Sequence, residues 1–168
     1  DMASRLEADD FAGVRYVMRH DGSDKAHIMS INDPFKVSWR LRGSMQNLLL
    51  DYTFNPRLVH ELGRIATDFN KAAIEEAVAL GVDAIIVPGD LAGEETLLIS
   101  PEHFREYILP YEEEMVDYAH QCGLSIIKHT DGNAWLILDD FVEAQESYIS
   151  SSTANSAAEP RRRCRVCS

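Results

Sequence analysis

The chain is poor in cysteine, in basic side chains and in uninterrupted apolar runs, and each shortage excludes something. Three cysteines in 168 residues cannot build a disulfide framework. Cys122 stands alone near a helix end, and Cys164 and Cys167 form a C-x-x-C without the second pair that a zinc ribbon needs. No run of 18 apolar residues occurs, so the sequence offers no membrane-spanning helix. Sixteen basic residues face 28 acidic ones, for a net charge of −12. Four arginines and two glutamates follow Ala144, a balance of +2, so residues 1–144 alone carry −14. A body that acidic repels polyanions, which argues against nucleic acid and anionic membranes as partners. The opening DMASRLEADD is acidic and lacks the apolar stretch of a secretion signal, so the expected location is the cytoplasm. Neither G-x-G-x-x-G nor G-x-x-x-x-G-K-[ST] is present, which removes the usual phosphate loops.

What is present is a balance of 45% apolar and 26% charged residues, that of an ordinary folded domain. From Ser4 to about His20, Leu6, Phe11, Val14, Val17 and Met18 recur at helical spacing, with Gly22 as a stop. AHIMSIN (26–32) reads as a strand, and helical pieces follow from DPF through Leu41 and over SMQNLLLDY. Residues 55 to 81 predict one long helix, with Asn55 as N-cap, Pro56 in the first turn and Gly81 as C-terminal stop. Its apolar stripe is Leu58, Leu62, Ile65, Phe69, Ala73, Ile74, Ala77 and Val78. VDAIIVPGD is a second strand. The next helix opens at SPEHF under a Ser100 cap and carries Phe104, Ile108, Tyr111, Met115, Val116 and Ala119 inward, with Pro110 expected to kink or divide it. YEEEMVD within it reads as a solvated face, and His60, His103 and His120 as helix-surface residues. LSIIKH is the third strand, and AWLILDDFVEA a last helix.

Apolar strands alternating with amphipathic helices predict an α/β fold with a parallel sheet under covering helices. Without a phosphate loop, and with long helix-rich connections, the pattern suits part of a (β/α)8 TIM barrel. About three parallel strands are present, where a whole barrel takes about 250 residues. In such folds the carboxyl ends of the strands point into the site. All three strands here end in polar groups: Asn32 and Asp33, then Asp90, then His129 and Asp131.

Residues i and i+2 of a strand face the same way, so His129 and Asp131 converge on one point. Imidazole nitrogen and carboxylate oxygen are both zinc ligands, and Asp90 on the neighbouring strand is the nearest third ligand. The same pair also reads as a proton-transfer dyad, with Asp131 fixing the tautomer of His129. The plainer reading is a turn at Asp131-Gly132-Asn133 that caps the next helix, beside a hydrogen-bonded wall histidine. Asp90, His129 and Asp131 are the candidate catalytic residues, and Glu94 and Glu95 read as a solvated acidic loop. Trp39 and Trp135 read as core or rim packing.

Residues 89–144 resemble the uroporphyrinogen decarboxylase superfamily. The resemblance lies in Asp90 after a strand, the Ser-Pro-x-x-Phe start at 100–104, Leu-Pro-Tyr at 109–111 and Gly123. After these comes a strand ending in His129, with Gly132-Asn133 close behind. FNPRLVHELGRIATDF is similar to the long preceding helix of that family, so the likeness covers roughly residues 45 to 144. It implies a (β/α)8 barrel and one of two activities. One is zinc-dependent methyl transfer between a corrinoid and a thiol, with the methylcobamide borne by a partner protein and a small-molecule acceptor. The other is decarboxylation of uroporphyrinogen III without a cofactor. In the methyltransferase branch the strand matching 124–129 ends in His-x-Cys-Gly, whose His and Cys bind zinc together with a later Cys. His129 matches that histidine and Asp131 stands where the cysteine would be, a harder donor than thiolate. The resemblance thus implies His129 and Asp131 as metal ligands, with Asn133 at the cofactor. VRYVMRHDG (14–22) echoes the arginine motif of the decarboxylase branch but stands too close to Asp90 for the family's order.

After Ala144 the composition shifts to serine, alanine and arginine, and apolar periodicity is lost. The expected division is a barrel portion over 1–144 and a tail over 145–168, frameshifted, otherwise non-homologous or disordered. An internal barrel fragment of this kind is also expected to expose sheet edges through which it self-associates, and it need not be catalytic at all.

Overall fold

Three helices open where a short polar side chain precedes a proline, and these junctions set the chain's rhythm. A computed structural model describes residues 11–22 and 24–144, and the backbone of 148–150. Helix α1 (Ala12–His20) leads into strand β1 (Ile28–Ser30), α2 (Pro34–Leu41), α3 (Met45–Phe54) and the long α4 (Pro56–Leu80). Strand β2 (Ala84–Pro88), α5 (Pro101–Tyr107), α6 (Leu109–Gln121) and β3 (Ser125–His129) follow. A 3-10 turn (Trp135–Ile137) then passes into α7 (Leu138–Glu143), and β4 (Tyr148–Ser150) comes last. Residues 4–10 of the expected first helix lie outside the described residues.

Asp33 and Ser100 cap as their types require, accepting from the backbone N–H of Lys36 at 2.6 Å and of His103 at 3.2 Å. Asn55 does not: its side chain donates to Asp51 Oδ1 at 2.9 Å and makes no cap bond, leaving the start of α4 to Pro56. Gly81 ends α4 with φ +73°, the left-handed conformation a glycine adopts without a Cβ penalty. Pro110 divides the predicted helix, and α5 stops at Tyr107 before α6 begins at Leu109.

The sheet is parallel, in the order β1-β2-β3-β4. The composition marks three of these strands. The fourth is three residues long, too short for a period of two to register, and it falls inside the segment set apart as a tail. The remaining residues of that segment lie outside the described residues. The helix-strand order and parallel pairing make this part of a (β/α)8 barrel, as expected.

The two sheet faces differ. Met29, Ile31, Ile85, Val87 and Ile126 are buried under Ala73, Ile74 and Ala77 of α4 and Met115, Val116 and Ala119 of α6. Residues on the alternate face, Ala84, Ile86, Ile127 and His129, are half-buried. A second core gathers Phe35, Leu48, Leu62, Leu91, Phe104 and Phe141.

The buried stripe of α4 is rotated from the expected one. Gly63, Thr67 and Asn70 are buried, Ile65 and Phe69 are half-buried, and Val78 is exposed. The neighbours explain the rotation. A Cβ on Gly63 would lie 2.6 Å from the Tyr111 ring, and Asn70 Nδ2 donates to the Asn32 carbonyl at 2.8 Å. Close approach and backbone satisfaction outrank side-chain hydropathy there.

Candidate metal centre

Register brings the site together. Pro88 of β2 lies opposite His129 of β3, and two residues further on each strand come Asp90 and Asp131. Pro88 and His129 share one face of the sheet, and Asp90 and Asp131 follow just past the strand ends. Asp90, His129 and Asp131 each offer a ligand atom, and these atoms all lie within 4.8 Å of one another. His129 Nε2 is 3.5 Å from Asp131 Oδ1. The side chains of Asp90 and Asp131 are about half exposed, at 53% and 48%, while that of His129 is 25% exposed. The cluster is therefore open on one side.

The donor set fits zinc. Imidazole nitrogen and carboxylate oxygen bind it at about 2.0–2.2 Å, and catalytic sites use three protein ligands with one position left open. Lys36 approaches from α2, its Nζ 3.8 Å from Asp90 Oδ2.

The loops that carry these residues are clamped together. Gly93 donates to the Thr96 carbonyl at 2.7 Å and Leu98 to the Leu91 carbonyl at 2.8 Å, folding residues 91–98 into a small hairpin. Asn133 N–H donates to the Gly93 carbonyl at 2.8 Å. Gly132 has φ +80°, and a Cβ there would run into the carbonyl oxygens of Ala92 and Gly93. Backbone conformation and close approach both require glycine at 132.

Asn133, expected at the cofactor, uses its side chain within the protein. Its Nδ2 donates to the Glu95 carbonyl at 3.2 Å, and its Oδ1 accepts from Trp135 N–H at 3.4 Å. Asp33, expected with the strand-end groups, turns the other way and is wholly buried. Glu94 and Glu95 are exposed, as their loop suggested, and so is Trp135, while Trp39 packs partly buried on the second core. His60 is exposed with Nδ1 2.9 Å from Tyr111 Oη; His103 is half-buried beside Tyr52 and Tyr107.

Behind the site lies a cluster the sequence reading missed. Lys128, the residue before His129, is fully buried and ion-paired to both Glu112 and Asp33, the latter at 3.5 Å. Glu112, expected on a solvated face, is 0% exposed. The helical period carries the correction: Glu112 sits four residues after Ile108 and three before Met115, on the buried stripe. Lys128 likewise stands in phase with Ile126 on the covered face of β3. Burial pushes the carboxyl pKa values of Asp33 and Glu112 up, against the pull of Lys128. One ammonium between two buried carboxylates cannot neutralise both, so burial opposes the fully ionised state.

The family model described as uroporphyrinogen decarboxylase matches residues 12–167, and so runs through the segment after Ala144 as well. Two curated relatives carry the name methylcobamide:CoM methyltransferase MtbA. The protein from Methanosarcina acetivorans is 26% identical over 122 residues and that from Methanosarcina mazei 27%. Each match covers 71% of this chain but 34% of the relative, so the chain spans about a third of the relatives' length. A solved methyltransferase from Methanosarcina mazei superposes with a TM-score of 0.71 at 17% identity, over 86% of this chain and 44% of the other. That likeness speaks to the fold. Among the described residues no helix is long and apolar enough to cross a membrane.

Proposed function

We propose, because the chain belongs to the uroporphyrinogen decarboxylase family, that it carries the metal-binding part of a methyltransferase active site. The reaction moves a methyl group between a methylcobamide on a partner corrinoid protein and a small-molecule thiol. The observation that carries this reading is the convergence of Asp90, His129 and Asp131 ligand atoms within 4.8 Å at adjacent strand ends. The names of the curated relatives support the same chemistry.

On this reading His129, Asp131 and Asp90 hold zinc and leave a position facing solvent for the acceptor. Zinc held there would supply Lewis acidity that favours the thiolate form of the acceptor. The chain's own contribution is placement. Asp131 stands 3.5 Å from the imidazole of His129, and Lys36 moderates the charge of Asp90. A carboxylate at 131 makes the donor set harder than one with thiolate.

The description of the family match favours a second reading, decarboxylation of a tetrapyrrole without a cofactor. That substrate carries many carboxylates, and the two acidic side chains at the strand ends, Asp90 and Asp131, would repel them. Metal analysis separates the readings. After equilibration with zinc and dialysis, the chain is expected to keep one zinc, and His129→Ala to keep none. No retained zinc, or equal zinc in both proteins, overturns the metal reading. Porphyrinogen binding in its place would move the assignment to the decarboxylase. Self-association with neither ligand bound would mark a catalytically inert barrel segment whose sheet edges pair.

A further inference from the structure

We infer that the buried cluster of Asp33, Lys128 and Glu112 is a positioning device for the strand-end site, holding the backbones that carry Asp90 and His129 in register. This rests on the reading of Asp90, His129 and Asp131 as the functional site. Stability alone does not account for the cluster. Taking three charged groups out of water costs several kcal/mol per ion, and apolar residues of similar volume commonly serve a core as well or better. The cluster is also incompletely satisfied: among the described residues Asp33 Oδ2 and Glu112 Oε2 accept no hydrogen bond, the former lying 3.5 Å from Lys128 Nζ. Its placement is what distinguishes it.

Each member reaches one support of the site. Lys128 precedes His129 on β3, and its ammonium lies 5.0 Å from the ring centroid of Phe141 in α7. Asp33 caps α2 through the Lys36 N–H, and the side chain of Lys36 then meets Asp90. Glu112 brings in α6 through its ion pair with Lys128. Gly89, the residue before Asp90, passes directly over the cluster. A Cβ there would collide with Asp33 Oδ2 and stand 3.0 Å from Lys128 Nζ, while Gly89 N–H donates to the His129 carbonyl at 2.9 Å. The strand ends bearing Asp90 and His129 therefore rest on the same three charged groups. Ion pairs are directional where an apolar packing is not, so they fix the height and rotation of both strand ends.

The test compares the wild-type chain with Asp33→Asn/Lys128→Met/Glu112→Gln, in which every group is neutral and close to the original size. Two readouts are taken on folded protein of matched thermal stability. One is the long-range 1H–15N spectrum of the His129 ring without metal. The other is the dissociation constant for Co2+, followed by its visible absorption. A positioning role predicts displaced His129 ring resonances and Co2+ binding weakened about 10- to 100-fold, the range found when groups supporting metal ligands are removed. Unchanged resonances and unchanged affinity would overturn it and leave the cluster as core. If the triple variant does not fold, Asp33→Asn is read by the same criteria, since it keeps the Lys128–Glu112 pair and an amide able to cap α2. If the wild-type chain binds no Co2+, the metal reading fails by itself. The ring resonances then decide the positioning role, a shift supporting it and no shift overturning it.

Discussion

Lys128 and His129 are consecutive on β3 and serve opposite sides of the sheet. Lys128 is wholly buried against Asp33 and Glu112, while the His129 ring stands 3.5 Å from Asp131 on the open face. The alternation is that of any strand. Here it couples a buried ion cluster to a candidate metal ligand through a single peptide bond.

Removing the cation should be far worse than removing one acid. Lys128→Met removes the buried cation that two buried carboxylates share, and the expected loss of stability is about 3–5 kcal/mol. Glu112→Gln keeps the Lys128–Asp33 pair and should cost distinctly less. Urea denaturation of the two variants checks the order, and equal losses would count against the buried geometry.

The same cluster fixes a pH dependence. Burial raises the carboxyl pKa values of Glu112 and Asp33 above their ordinary 4.5 and 3.8. A carboxyl raised on folding favours the protonated native state. Its contribution is therefore complete below the unfolded value and is lost as pH rises through the elevated folded value. The stability of the wild-type chain relative to Glu112→Gln is expected to fall as pH rises from the ordinary carboxyl range through the elevated folded value. Denaturation midpoints across that range measure it, and a flat difference would be the contrary result.

Gly132→Ala tests the clamp between the two loops. The substitution meets a positive φ and the carbonyls of Ala92 and Gly93 together. The expected cost is about 2–5 kcal/mol, from left-handed strain and overpacking combined. Metal affinity should fall with it, because residues 91–98 and 131–133 hold one another in place. Calorimetric melting and Co2+ titration check the two effects.

Asp131→Cys should restore the softer donor that the His-x-Cys-Gly pattern carries. Tighter zinc binding than wild type is expected, together with a sulfur-to-metal charge-transfer band in the cobalt-loaded protein. Absence of that band would place residue 131 outside the metal's reach.

Much of the fold was legible because its signals were local. Pro56 and Gly81 bracket α4, Pro110 divides α5 from α6, and the Val and Ile runs mark β2 and β3. The candidate site was legible for the same reason: Asp90, His129 and Asp131 follow apolar strands by fixed small offsets. Three features were harder to see. Glu112 lies in a run of three glutamates that reads as solvated by composition, although its helical phase puts it among Ile108, Met115 and Val116. The inward side of α4 depends on Tyr111 closing over Gly63, a contact between distant segments that hydropathy does not encode. The bonds that hold Asn133, from its amide to the Glu95 carbonyl and from Trp135 N–H to its Oδ1, join segments whose approach the sequence does not encode.

X-ray absorption spectroscopy of the zinc-loaded chain addresses the proposed centre at the level of its donor atoms. A site built from His129, Asp131 and Asp90 gives a first shell of nitrogen and oxygen alone at about 2.0–2.2 Å, with an imidazole pattern that disappears in His129→Ala. A sulfur shell near 2.3 Å would contradict it, because Cys122, Cys164 or Cys167 would then hold the metal and the strand-end cluster would not.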